Sequence, residues 1–225
     1  MLVIKENSST KKLFATGTFT LTTEHGVAFT LIGLLCLVVS PIAIFVPYVL
    51  QIICGYPAIV SGYITTIPAG VWAIASIAVG GVTGSRVRSL LYAGPWLVFT
   101  SYVLLAVTAT LAPVNNESII IPFVCFGTAL FGAGMGMCWP HIIAHIMQKA
   151  PQGEQDLAAS SVPTMELVSE GFGAACAGLI ANCAGFCNTQ NIYAPLHAIT
   201  LVFAASCLIP LVALTLIPRV LRYNS

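Results

Sequence analysis

Six apolar stretches, bounded approximately by 27–50, 58–82, 90–112, 118–147, 157–185 and 194–217, decide what this chain can become. Each supplies the roughly 20 residues that a helix needs to cross about 30 Å of hydrocarbon. The runs are long and continuous, not short segments of alternating polarity. That pattern selects helices over a barrel, because a helix satisfies its backbone polar groups within itself. Only 7% of the 225 residues are charged, against about 25% in soluble domains. The expectation is an all-α membrane protein, a six-transmembrane-helix bundle over 27–217. Residues 1–26 read as a cytoplasmic lead-in and 218–225 as a cytoplasmic tail.

Charge placement orients the bundle. The eight basic residues are Lys5, Lys11, Lys12, Arg86, Arg88, Lys149, Arg219 and Arg222. With six spans, all of them fall on the side of the two termini, and the loops near 51–57, 113–117 and 186–193 hold none. Basic residues stay cytoplasmic, so both termini are expected in the cytoplasm. The start lacks the apolar core and small-residue cleavage site of a signal peptide. The eight cysteines form no CxxC pair and mostly lie within spans, as small packing residues do. No basic patch with interleaved aromatics points to nucleic acid.

Residues 123–185 form the most informative part, two apolar arms around the polar connection from Gln148 to Asp156. Glycines at short spacing, Gly127, Gly132, Gly134 and Gly136 and then Gly171, Gly173 and Gly178, let backbones approach closely. The second arm carries Glu166 and Glu170, the two carboxylates that fall inside a span. Four residues apart, they share a helix face, about 13 Å and about 20 Å from the start of the helix. An ionisable group in lipid is costly, which makes it a functional candidate. The pair suits a proton-coupled carrier, and the alternative is a longer cytoplasmic turn that keeps Glu166 at the headgroups.

Other candidates are weaker. His141 and His145 repeat the spacing of zinc-binding helices, but Ile142 stands where HExxH needs a glutamate. A polar contact to a cavity, or a relay with Glu166, is the other use of this pair. Trp72 and Trp139 could line a cavity for an aromatic or cationic ligand, or simply pack. Gln51, near the outer end of the first span, could meet substrate or anchor at the interface. Pro41, Pro47, Pro68, Pro140, Pro163 and Pro210 sit well inside spans and free backbone carbonyls there. Such helices suit rocking or gating, or shape a static bundle.

The turn after the second span carries a further pattern. Gly81, Ser85, Arg86 and Arg88 align with the G-x-x-x-D-R-x-G-R/K loop between paired helices of major facilitator superfamily transporters, with Ser85 in place of the acid and Arg88 shifted. Pro47-Tyr48-Val49-Leu50-Gln51, Gly55 and Ser61-Gly62 resemble the seventh helix and following loop of bacterial drug-transporter-like facilitators. The fourth span with Pro140, Ala150-Pro151-Gln152-Gly153-Glu154 and Ala158-Ala159-Ser160-Ser161 resemble their tenth and eleventh helices. The resemblance covers residues 20–218 and only the carboxyl-terminal six-helix half. It implies a secondary transporter of a small organic solute, drug-type efflux among the options, with no cofactor. It also implies a missing half, supplied by a homodimer or by a separate amino-terminal chain. In that fold the third and sixth spans are lipid-facing or supporting. A half alone could equally be a non-transporting fragment or structural subunit. The absence of G-x-S-x-G, HExxH and GxxxxGK speaks against an intramembrane protease and a self-powered pump.

Overall fold

The computed structural model describes Ala15 and residues 18–111, 117–187 and 194–222. Most of the expected lead-in, including Lys5, Lys11 and Lys12, lies outside the described residues, as do parts of two expected outer loops and the end of the tail. Among the described residues the chain is helical, without strands. The helices are α1 (Glu24–Leu37), α2 (Val39–Tyr48), a π turn (Val49–Ile53), α3 (Ala58–Val79) and α4 (Ser85–Leu111). They continue with α5 (Glu117–Lys149), α6 (Gln155–Cys183), α7 (Ala194–Ser206) and α8 (Leu208–Arg222). Through the π turn α1 and α2 form a single rod, and α7 and α8 form another.

Among the described residues, five rods are long and apolar enough to cross a membrane: Glu24–Ile53, Ala58–Val79, Ser85–Leu111, Ile120–Lys149 and Ala194–Leu221. This is one fewer than the sequence reading. Helix α6 has the length, but Asp156, Glu166, Glu170 and its hydroxyl-rich first half make it too polar to join the set.

Prolines explain where the rods break. Pro41 has no N–H for the Leu37 carbonyl, and α1 ends at that residue. Pro210 stands in the same relation to Ser206, where α7 ends. The break at 37–38 then becomes a junction. The Leu37 carbonyl packs on Gly173 of α6. The Val38 carbonyl accepts the Tyr102 hydroxyl of α4, and the Ser40 hydroxyl donates to the Glu170 carbonyl at 2.7 Å. Thr23 caps α1 by accepting the Gly26 N–H at 3.1 Å, and Glu24 in the first turn meets the positive end of the helix dipole.

Helix α5 ties α3 and α4 together. Gly132 and Gly136 press on the backbone of α3 at Pro68 and Trp72, while Gly134 meets Gly94 of α4. A side chain at any of these positions would hold the helices apart. Pro140 leaves the Gly136 carbonyl without its intrahelical donor, and Ser76 of α3 donates to it at 3.2 Å. Ser101 of α4 donates to the Gly127 carbonyl at 2.6 Å.

The third rod packs inside the bundle and is not mainly an outer face. Helix α4 packs on α5, α7 and α8, and its Tyr102 is fully buried between Phe131 and Phe203. The outward-facing rod is α3, with 11% of its most apolar window buried, against 67% for Glu24–Ile53.

Candidate functional site

A cavity of about 210 Å³ opens between α2, α3 and α5. Val39, Ile42 and Val46 line one side, Pro68 and Trp72 the second, and Phe131 closes the third. It lies beside the middle of α3. Two hydroxyls, Thr65 and Thr128, reach its wall. Both donate to carbonyls of their own helices, Thr65 to Gly62 at 2.9 Å and Thr128 to Val124 at 2.9 Å. Their oxygens remain acceptors, so the wall offers apolar contact and weak acceptance, with no charge. Its volume is below the ~300 Å³ at which ligand pockets usually begin.

The sequence candidates divide into separate places. Trp72 lines the cavity, and Trp139 stands behind it, edge to face with ring centroids 5.1 Å apart. That geometry fixes the Trp72 ring by packing.

Glu166 and Glu170 are half-buried and lie outside that lining. Met165, Ser169 and Gly173 form the row of α6 that presses on α1 at Gly33 and Leu37. The carboxylates occupy the adjacent row, close enough to interact electrostatically. Among the described residues no cation forms a salt bridge with either.

Gln51 is exposed and donates from Nε2 to the Ser61 hydroxyl at 3.2 Å, tying the π turn to the start of α3. His141 and His145 lie in the last turns of α5, away from the cavity lining. At the start of α4 Arg86 and Arg88 are exposed, and in the α3–α4 turn Gly81 is exposed with open space around it. The residue that needs to be glycine there is Gly84, at φ 71°.

Sequence reasoning missed three groups. Tyr102 sits in a span read as chemically silent. Thr128 and Phe131 lie among the glycines of α5, where their facing could not be told from spacing alone. His25 follows Glu24 at the edge of the first span, and an ionisable side chain at a span edge was the signal available.

No protein-family model matches the chain. Its sequence is 31% identical over 134 residues to a probable multidrug-efflux transporter of Mycobacterium tuberculosis strain CDC 1551 / Oshkosh, covering 55% of this chain and 28% of that protein. The protein of the same description in strain ATCC 25618 / H37Rv matches with the same identity and coverage. The chain therefore spans well under half the length of the relatives it matches. Together with the five apolar rods, this likeness marks a multi-pass helical membrane protein related to transporters.

Proposed function

We propose that the chain is one six-helix half of a major facilitator-type secondary transporter in a bacterial inner membrane, with both termini cytoplasmic and α6 as the remaining span. It carries a small, uncharged, apolar solute along the cavity beside Trp72, in the manner of drug efflux. The observation that carries this reading is the apolar cavity at mid-helix, walled on one side by a proline-broken rod. Substrate sites of secondary transporters lie near the bilayer midplane between repeats and use discontinuous helices. The likeness to proteins described as multidrug-efflux transporters supports the same class.

A cavity of about 210 Å³ on one bundle fits half of a site, completed by a second copy or a separate half. The same smallness favours a second reading, a packing subunit that carries no solute itself. Glu166 and Glu170 take up the coupling proton in the transporter reading: protonation discharges α6 and lets it slide along α1.

Proteoliposomes holding the chain and its completing half, loaded with a neutral lipophilic fluorescent dye, test the proposal. Trp72→Ala is expected to cut dye movement about tenfold, the order of one well-packed aromatic contact. Glu166→Gln with Glu170→Gln is expected to remove its pH dependence. Dye movement that survives Trp72→Ala unchanged refutes the cavity as the pathway, and no movement in any preparation supports the packing subunit.

A further inference from the structure

The end of the bundle that carries the basic turns holds a group of ionisable side chains outside the cavity and outside the α6 carboxylate pair. His25, in the first turn of α1, is 3% exposed, and His145, in the last turns of α5, is 6% exposed. The His25 ring lies against Phe29, with centroids 4.7 Å apart, and beside the Ile146 backbone. Neither His25 ring nitrogen has a hydrogen-bond partner, and neither does Nε2 of His145. Buried ring nitrogens without partners are uncommon, because each costs about 1–3 kcal/mol.

The two histidines are electrostatic neighbours of each other. Around them, α1 supplies Glu24, α5 supplies Lys149, and the α5–α6 connection supplies Glu154. Glu24 and Lys149 form a salt bridge at 2.8 Å, with both side chains about a third exposed. His141, half-buried one turn earlier on α5, lies beside Val79 at the end of α3. Asp156 on α6 and Arg219 on α8, the helices that also pack on α1, are exposed.

We infer that His25 and His145 form a proton-binding latch that holds the start of α1 to the end of α5. The neutral rings pack as apolar surfaces under the Glu24–Lys149 bridge. A proton on His145 places a second cation beside Lys149, and His145 Nε2 has no acceptor there; a proton on His25 sits between the Ile146 backbone and Glu154 and repels the neighbouring His145. Glu24 is the carboxylate that acts on His145, and turning it to that imidazolium breaks the bridge to Lys149. Acid thus releases both fastenings together, and the two helix ends separate. Histidine is suited to this because its charge changes between about pH 5 and 8. The latch does not depend on the transport reading, and the α6 carboxylates play no part in it.

Amide hydrogen exchange of the full chain in lipid nanodiscs, corrected for the intrinsic pH dependence of exchange, tests the latch. Between about pH 8 and about pH 5.5, peptides covering residues 20–30 and 140–150 are expected to open roughly tenfold more, with the middle of α5 unchanged. His25→Phe with His145→Gln is expected to abolish the response. Glu24→Gln is expected to give partial opening already at pH 8. If the double variant is too unstable to measure, imidazole resonances of the isotope-labelled native chain replace it, and two of them must titrate together with the opening. The inference is overturned if the native chain shows no acid-induced opening at these ends. It is equally overturned if the opening persists without the histidines or disappears in Glu166→Gln with Glu170→Gln.

Discussion

Helices α5 and α6 are the two arms of one hairpin and look alike in sequence, each long and punctuated by glycine. The bundle uses them differently. Gly132, Gly134 and Gly136 of α5 all meet a neighbouring backbone, whereas on α6 Gly171 and Gly178 meet nothing within 4 Å and Gly173 alone is pressed against Leu37. Leu167, Phe172 and Leu179 of α6 are exposed by 64% or more. Glycine spacing therefore marks where a helix can be approached closely; it does not say that the approach occurs inside this chain. Helix α5 is locked between α3 and α4. Helix α6 is held along one line and otherwise turned outward, which fits an element that moves or meets another half.

Substitutions that fill these glycines break or sharpen the contrast. Gly132→Ala drives a methyl into the Pro68 carbonyl and is expected to destabilise the bundle by about 3 kcal/mol, the upper range for overpacking. Gly173→Ala meets the Leu37 carbonyl, but α6 can shift away from its single line of contact, so about 2 kcal/mol is expected. Gly178→Ala enters open space and is expected to be neutral or stabilising by at most about 1 kcal/mol through helix propensity. Ser76→Ala strips the Gly136 carbonyl of its donor and is expected to cost about 0.6 kcal/mol, the average for interhelical bonds in membranes. Reversible unfolding of each variant in mixed micelles gives all four values. Equal costs for Gly132→Ala and Gly178→Ala would erase the distinction between the arms.

Much of the fold was legible because hydropathy run length is a strong signal. The apolar runs match helical rods, and Pro41 and Pro210 each break one. The polarity of α6 was legible too, in Glu166 and Glu170, and it is what sets that helix apart from the five more apolar rods of similar length. The candidate site was less readable. Spacing put Trp72 and Trp139 on separate helices without showing that their rings touch. It singled out Gly81 in a turn whose left-handed residue is Gly84. His25 and Tyr102 act through partners more than 60 positions away in the chain, and such pairings appear only once helices are packed.

The central claim is that this bundle is one half of a two-part transport unit. Native mass spectrometry of the tagged chain, released from lipid nanodiscs, tests it most directly. The account predicts a stable assembly of two bundles, either two copies of this chain or this chain with a second six-helix partner. A lone monomer that persists across lipid compositions and concentrations would contradict it.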